Sequence, residues 1–234
     1  MVKISSLGHI FHRLKWGEDA LAIFIFSAMT ILPFFESFSR LFNINSIPAS
    51  QILVQHFTLW IGLLGGILAA RQNKLLALTR ESLFKKDKEI HFGKWVAKVT
   101  TFLVLVSLAW GSWELVKVEM QYPIDIAPNI PRWFAQIIMP LGFGLMAVQI
   151  YLNSYEKQLH RITLIIVGLL LSLGGITDMF FEMIPALYIG IFIIAVSLFY
   201  GAPIFVGLGG LAVLMFWSEY TPISAIPAEA YRIV

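Results

Sequence analysis

The fold of this chain is decided by the run Leu59-Trp60-Ile61-Gly62-Leu63-Leu64-Gly65-Gly66-Ile67-Leu68-Ala69-Ala70-Arg71. It completes a stretch over residues 52–70 without Asp, Glu, Lys or Arg, which as an α-helix is about 30 Å long and matches the core of a bilayer. Small residues recur along this helix and would let another helix approach closely, and Trp60 lies mid-span, where a bundle contact is favoured over a lipid anchor. The predicted helix-packing residues are Trp60, Gly62, Gly65, Gly66 and Ala70.

The composition of the whole chain supports a membrane protein. Of its 234 residues, 58% are hydrophobic and 13% are charged. A soluble domain of this size carries about a quarter charged residues, so this chain cannot cover itself with a polar surface. The composition excludes a small soluble enzyme, a nucleic-acid binder and a disordered regulator. Because the chain has no cysteine, disulfide frameworks and thiolate sites are also excluded.

Further apolar runs predict additional membrane spans. The first span covers residues 20–35 and is long enough only if its helix runs on toward Phe38. With the span at 52–70, the other predicted spans cover residues 95–116, 133–152 and 162–180. The sequence therefore predicts an all-α polytopic fold.

A sixth apolar region begins near Ile184 and reaches Trp217. As one helix it would be about 50 Å long, too long for a hydrocarbon core of about 30 Å. Pro203, in the run Gly201-Ala202-Pro203, removes a backbone donor and clashes with the preceding turn, so a break is expected there. One kinked helix and two short helices both remain open.

The distribution of basic residues predicts the orientation. Segments 1–17, 71–94 and 153–161 together hold twelve Lys or Arg residues, whereas the opposite side holds three, Arg40, Lys117 and Arg132. Cytoplasmic loops of membrane proteins carry such an excess of positive charge. The amino terminus is therefore predicted to be cytoplasmic.

Charged residues near the ends of the spans are candidates for function or for simple pairing. Glu36 and Arg40 are four residues apart, and Glu114 and Lys117 are three apart, so each pair can form on one helix face. Ion pairs at the membrane interface are favoured for both. The acids in the turn over residues 178–182 are interpreted as solvated rather than as a cation site.

Histidine is the one residue type that suggests a cofactor. Only His56 lies inside a predicted span, and one histidine cannot supply the facing ligands of a membrane haem. The alternative hypothesis is nevertheless a haem-binding membrane anchor subunit of an electron-transfer complex. No catalytic motif is present, so no enzyme activity is predicted.

Several motifs resemble the small membrane subunit of tripartite ATP-independent periplasmic (TRAP) transporters. The run over residues 59–71 is similar to the second-helix signature of that family, with its tryptophan, glycine-rich turn and Ala-x-Arg-like end. The end of helix one in that family is similar to Phe38-Ser39-Arg40-Leu41-Phe42. Its entry to helix four is similar to Asn129-Ile130-Pro131-Arg132-Trp133 followed by Met139-Pro140-Leu141-Gly142.

A second resemblance follows downstream, to the beginning of the large TRAP membrane subunit. It is carried by Phe199-Tyr200-Gly201-Ala202-Pro203-Ile204 and Gly207-Leu208-Gly209-Gly210-Leu211-Ala212. Fused members of the family join the two subunits by one extra helix. The resemblance implies a four-helix small-subunit domain (1–157), a linker transmembrane helix (158–182) and the amino-terminal fragment of a large subunit (183–234) that is expected to continue beyond Val234.

The resemblance also implies a function. The chain is expected to be a scaffold in the bacterial inner membrane for uptake of organic acids, for example C4-dicarboxylates. A periplasmic binding protein and the remainder of the large subunit are the expected partners, within the lipid bilayer and without nucleic acid. Sodium is the expected coupling ion, held elsewhere in the transporter, and this chain is expected to bind no cofactor. Arg40, Lys117 and Arg132 are expected to face the loaded binding protein.

Overall fold

The computed structural model describes residues 4–42, 50–77, 87–127, 130–153 and 184–233. Most of them are helical, and the all-α polytopic fold is confirmed. The helices are α1 (Ile4–Leu41), α2 (Ser50–Arg71), α3 (Asp87–Gln121), α4 (Arg132–Gln136), α5 (Ile138–Leu152), α6 (Ile184–Phe199), α7 (Ile204–Ser218) and α8 (Ala225–Ile233). A short antiparallel pair, β1 (Asp125–Ala127) and β2 (Ile130–Pro131), connects α3 to α4.

The first four predicted spans are confirmed. In the described residues, four helical segments are long and apolar enough to cross a membrane: Ala20–Leu41, Ser50–Arg71, Phe92–Gln121 and Arg132–Leu152. The first span continues past Phe38, as its length required, and the third is longer at both ends than predicted. The predicted linker helix, residues 158–182, lies outside the described residues.

The fourth span is interrupted at Ile137, between α4 and α5. Pro140 explains the position of this break, because its ring clashes with the carbonyl group four residues earlier, at Gln136, and it has no N–H to donate there. Ile137 still donates its backbone N–H to the Trp133 carbonyl at 3.0 Å, so the chain continues in nearly the same direction.

The apolar region after Ile184 forms two helices joined by a tight turn, which decides between the two alternatives left open by the sequence. Gly201 has a φ of 93°, a left-handed conformation that glycine adopts without a Cβ penalty. The Ala202 N–H donates to the Ser197 carbonyl at 2.8 Å and ends α6. Pro203 then precedes the first residue of α7, where its fixed φ fits and no donor is needed.

Helices α6 and α7 run antiparallel as a hairpin. Gly207 of α7 lies beside Leu198 near the turn, and Gly190 of α6 lies beside Leu214 farther from it. Glycines at these contacts let the two helices approach closely, which is how apolar helices gain packing energy in lipid. At 1.5 Å per residue, each helix is about 23 Å long.

Helix α3 is the centre of the bundle, contacting α4 and α5 as well as α6, α7 and α8. Leu105 and Val116 on α3 are fully buried, and Leu105 packs in one cluster with Ile67 of α2 and Met139 of α5. A second cluster joins α3 to the hairpin through Ala97, Val104, Leu108, Ala202, Val206 and Val213. Helix α1 packs mainly on α2, and its segment Ala20–Leu41 leaves most of its apolar surface exposed.

Candidate partner-binding site

The two ends of the helix bundle carry different residues, and we call them the basic end and the cleft end. The basic end holds the last residue of α2, the start of α3 and the hairpin turn, and carries Arg71, Lys74, Lys94 and Lys98. The cleft end lies opposite and holds the start of α2, the last turns of α3, and α4 and α8.

Three of the predicted helix-packing residues make close contacts. The indole N–H of Trp60 donates to the carbonyl of Ala135 at 2.9 Å, which links α2 to α4. Ala70 is completely buried. A Cβ placed on Gly66 would lie 2.9 Å from the sulfur of Met146, so the flexible end of that α5 side chain packs against α2 there.

The other two, Gly62 and Gly65, face open space. A Cβ at either position would meet no atom of the described chain within 4 Å. Close packing at Gly62 and Gly65 therefore stays a prediction. Gly142 of α5 also lies close to α2, since its Cβ would lie 3.1 Å from Leu63. Gly93, whose Cβ would overlap the Tyr200 ring, was not predicted from the sequence.

At the basic end, short polar links connect the elements. The Asn153 side-chain amide donates to the carbonyl of Ala70 at 3.0 Å and to the Asn73 side chain at 2.9 Å, joining the end of α5 to the end of α2. The Ile204 N–H donates to the Leu76 carbonyl at 2.9 Å, which fixes the hairpin turn to the segment after α2. A small cavity of about 270 Å³ lies beside the turn.

At the cleft end, a larger cavity of about 660 Å³ opens between α2, α3, α4 and α8, and we call it the outer cleft. Arg132 from α4 and Glu119 from α3 form an ion pair across it at 3.2 Å, and both side chains are largely buried. Asp125 from β1 and Gln136 from α4 also line it. Arg132 is thus placed in a cavity rather than in an open loop.

Two acceptor atoms in the outer cleft have no hydrogen-bond donor in the described part of the chain. They are Oε2 of Glu119 and Oε1 of Gln136, and both are buried. Gln136 is 1% exposed. A buried acceptor without a donor costs about 1–3 kcal/mol, so polar pairing beside the cleft is incomplete within the described residues.

His56 and Tyr231 close one side of the outer cleft. Nδ1 of His56 contacts the Ile52 carbonyl at 2.6 Å, and since a carbonyl only accepts, this nitrogen carries the hydrogen. Nε2 is then free to accept from the Tyr231 hydroxyl, which it contacts. Burial raises the pKa of Tyr231 to about 12, so the hydroxyl remains a donor at ordinary pH.

This arrangement weakens the haem hypothesis for His56. Both of its ring nitrogens are already engaged, so neither offers a lone pair to iron. Across the described residues, no group of three or more His, Cys, Asp or Glu side chains is arranged to hold a metal ion.

The other two predicted partner-facing residues, Arg40 and Lys117, also lie at the cleft end. Arg40 pairs with Glu36, and Glu36 in turn accepts from the Ser50 hydroxyl, which ties α1 to α2. Nζ of Lys117 lies 2.6 Å from Oε1 of Glu114 and over the ring of Trp110. Both predicted ion pairs are confirmed. That Arg40, Lys117 and Arg132 face a partner stays a prediction.

Comparison with known proteins places the chain in a family. A sequence model described as "Tripartite ATP-independent periplasmic transporters, DctQ component" matches residues 29–160. The match covers 132 of the 234 residues, from the middle of α1 to just beyond α5. The chain belongs to the DctQ family. It is therefore a small TRAP membrane subunit and a multi-pass membrane protein.

One relative of this DctQ subunit is the isethionate TRAP transporter permease protein DctMQ of Oleidesulfovibrio alaskensis. The two are 32% identical over 124 residues, which is 49% of this chain and 19% of the relative. The chain thus spans about a fifth of the length of that protein. No solved structure matches the chain.

The outer cleft contains residues that were not predicted from the sequence. Glu119, Gln136 and Tyr231 are brought together by helices far apart in the sequence, and Tyr231 is 175 positions from its partner His56. No local motif marks them. The available signal was Gln136, one of two glutamines inside a predicted span that is otherwise apolar.

Proposed function

We propose that this DctQ subunit is the fixed membrane scaffold of a TRAP secondary transporter in the bacterial inner membrane. The transporter takes up organic acids, for example C4-dicarboxylates, together with sodium, and a periplasmic binding protein delivers the substrate. The single observation that carries the proposal is the family match over residues 29–160, which includes three spans of the bundle and residues 29–41 of the first span.

The chain also contains the beginning of a large subunit in this proposal. Residues 1–157 are the small-subunit domain, 158–182 the linker helix and 183–234 the amino-terminal fragment of the large subunit. The contact of the α6–α7 hairpin with α3 supports this arrangement, because it joins residues of the small-subunit match to residues beyond it. The fused DctMQ relative supports it as well.

The basic end faces the cytoplasm and the cleft end faces the periplasm in this proposal. The excess of Lys and Arg residues at the basic end supports this orientation. The outer cleft, with Arg132, then opens toward the binding protein, and Arg40 and Lys117 lie on the same side. Sodium and substrate bind in the remainder of the large subunit, and this chain binds no cofactor and catalyses no reaction.

Reconstituted transport tests the proposed function. The full transporter is placed in liposomes, and uptake of a labelled panel of organic acids is measured with and without the cognate binding protein and an inward sodium gradient. We expect uptake of at least one acid that needs both components. Uptake that needs neither, or a Soret band at stoichiometric haem in the purified protein, contradicts the proposal.

A pair of glycine variants tests the scaffold role. Gly66→Leu inserts a side chain against Met146 and is expected to abolish assembly with the rest of the transporter, because overpacking separates α2 from α5. Gly144→Leu is the matched control within the bundle, since a Cβ at Gly144 meets no atom of the described chain within 4 Å. Co-purification is the measurement, and a Gly66→Leu variant that assembles and transports normally contradicts this role.

A further inference from the structure

The basic end contains a cavity that the proposed function does not use. It is the cavity of about 270 Å³ beside the hairpin turn, and we call it the inner cavity. Lys94 and Lys98 of α3 both line it, and no Asp or Glu is among the described residues that do so. The two lysines are four residues apart, so they lie on one face of the helix, where like charges repel each other. The inner cavity therefore favours an anion.

Lys98 lies inside a membrane-spanning segment. That span, Phe92–Gln121, begins six residues before Lys98, which is about 9 Å along the helix. The Lys98 side chain is exposed and forms no salt bridge within the described part of the chain. A lysine at this depth is costly in lipid unless its ammonium group reaches the headgroup level or meets an anion. The phosphate group of a lipid provides both.

The size and the walls of the inner cavity indicate which part of a ligand enters. Its volume is below the roughly 300–1,000 Å³ of pockets that enclose whole small molecules, so a phosphate group fits better than a complete metabolite. Apolar side chains such as Leu75, Ile150 and Ala202 also line it and can contact a glycerol or acyl group. Oδ1 of Asn73 accepts a hydrogen bond from Asn153, which leaves Nδ2 of Asn73 as a further donor.

We propose that the inner cavity binds the phosphate group of an anionic phospholipid, such as phosphatidylglycerol, whose acyl chains remain in the bilayer. Lys94, Lys98 and Asn73 are its donors. Lys94 already interacts with another group of the chain, but an ammonium group has three donors and can bind a phosphate oxygen as well. Basic pockets between membrane helices at the cytoplasmic side bind anionic headgroups.

The bound lipid would touch both parts of the chain. The inner cavity is lined by residues of α2, α3 and α5, which belong to the family match, and by the hairpin turn, which lies beyond it. An anionic lipid there would hold the hairpin against the bundle. This inference goes beyond the proposed function, because it requires a membrane protein but no particular substrate or binding protein.

The experiment measures lipid binding to the full transporter. Delipidated transporter in detergent is titrated with phosphatidylglycerol or with phosphatidylethanolamine of the same chain length, and native mass spectrometry counts the bound lipid. Tighter binding of phosphatidylglycerol is expected, because the amine of the other lipid cancels its phosphate charge. Lys94→Gln and Lys98→Gln are each expected to raise the Kd of phosphatidylglycerol by about fivefold.

Two further variants serve as controls. Lys74→Gln removes an exposed charge from the same end but outside the inner cavity, and its Kd is expected to stay within about twofold of wild type. Lys98→Arg keeps the charge and is expected to retain the affinity. Thermal unfolding without lipid checks that each variant is folded. Lys98→Met supplies the same loss of charge if Lys98→Gln is not folded.

Four results would overturn the inference. They are equal affinity for the two lipids, an unchanged Kd in both glutamine variants of α3, a loss in Lys74→Gln as large as that in Lys98→Gln, and displacement of the lipid by an equal concentration of inorganic phosphate. The last result would assign the inner cavity to a free anion. Failure of substrate uptake contradicts the proposed function alone, whereas lipid binding without these preferences contradicts the inference alone.

Discussion

The basic end and the cleft end of the bundle are built in opposite ways. At the basic end, the side-chain amide of Asn153 donates hydrogen bonds to Ala70 and Asn73. The ring of Tyr200 packs directly against Gly93. At the cleft end, a cavity of about 660 Å³ contains two buried acceptors without donors in the described chain. The polar links at the first end are therefore paired within the described residues, whereas two buried acceptors at the second are not.

This difference associates stability with the basic end and partner binding with the cleft end. Substitutions at the basic end remove contacts that hold helices together, so they are expected to lower stability most. Substitutions at the cleft end disturb a region that is already incompletely paired, so they are expected to cost little stability and to alter partner binding. The four predictions that follow test this division.

The largest effect is expected from Gly93→Ala at the basic end. The new Cβ would overlap the ring of Tyr200, and the hairpin turn must then move away from α3, which costs about 1–3 kcal/mol or more. Thermal unfolding of the purified protein measures the loss. Gly144→Ala is the control, since a Cβ at Gly144 meets nothing within 4 Å. Adding Tyr200→Ala to Gly93→Ala should recover part of the loss, and no recovery would place its cause elsewhere.

Asn153→Ala is expected to have the next largest effect. It removes two hydrogen bonds from one amide group, to Ala70 and to Asn73, at a cost of about 1–2 kcal/mol. The unfolding midpoint should fall clearly below that of Gln72→Ala, a substitution of an exposed amide at the same end. Equal midpoints for the two variants would show that the link between α5 and α2 is unimportant.

Trp60→Phe tests a hydrogen bond at the cleft end. The indole N–H to the Ala135 carbonyl is lost while most of the ring contact is kept, so about 1 kcal/mol is expected. Trp113→Phe, at an exposed tryptophan, is the control and should change the unfolding midpoint less. A larger loss for Trp60→Phe than for Gly93→Ala would reverse the comparison between the two ends.

The smallest effect near neutral pH is expected from Tyr231→Phe, which removes only the contact with His56. Its signature appears at high pH. Because the pKa of Tyr231 is about 12 in the folded protein against 10.0 unperturbed, its contribution is fully present below pH 10 and is lost as pH rises through 12. Wild type should therefore lose more stability than Tyr231→Phe over that interval. Tyr220→Phe, at an exposed tyrosine, should follow wild type.

The sequence was sufficient for features that depend on local pattern. Apolar run length located the first four spans, and spacing of three or four residues predicted the pairs Glu36–Arg40 and Glu114–Lys117. It also required a break near Pro203 without deciding between a kink and a turn. That choice depended on contacts between α6 and α7, such as Gly207 with Leu198, which periodicity does not report.

Contacts between distant segments could not be predicted in the same way. Small-residue spacing identified Gly62 and Gly65 as well as Gly66, but which of them meets a neighbouring helix depends on how α2 is rotated in the bundle. The cleft requires His56 and Tyr231 to meet across 175 positions. Helix α8, a short segment after the apolar runs, carries Tyr231 and was not anticipated.

In the proposed orientation, the basic end lies in the cytoplasm and the cleft end in the periplasm. Because the chain has no cysteine, single-cysteine variants can be labelled without background. Lys74→Cys and Tyr122→Cys place exposed thiols at the basic end and the cleft end, and intact cells are treated with a membrane-impermeant maleimide. We expect labelling of Tyr122→Cys in intact cells and of Lys74→Cys only after permeabilisation. Labelling of Lys74→Cys in intact cells, with Tyr122→Cys protected, would contradict it.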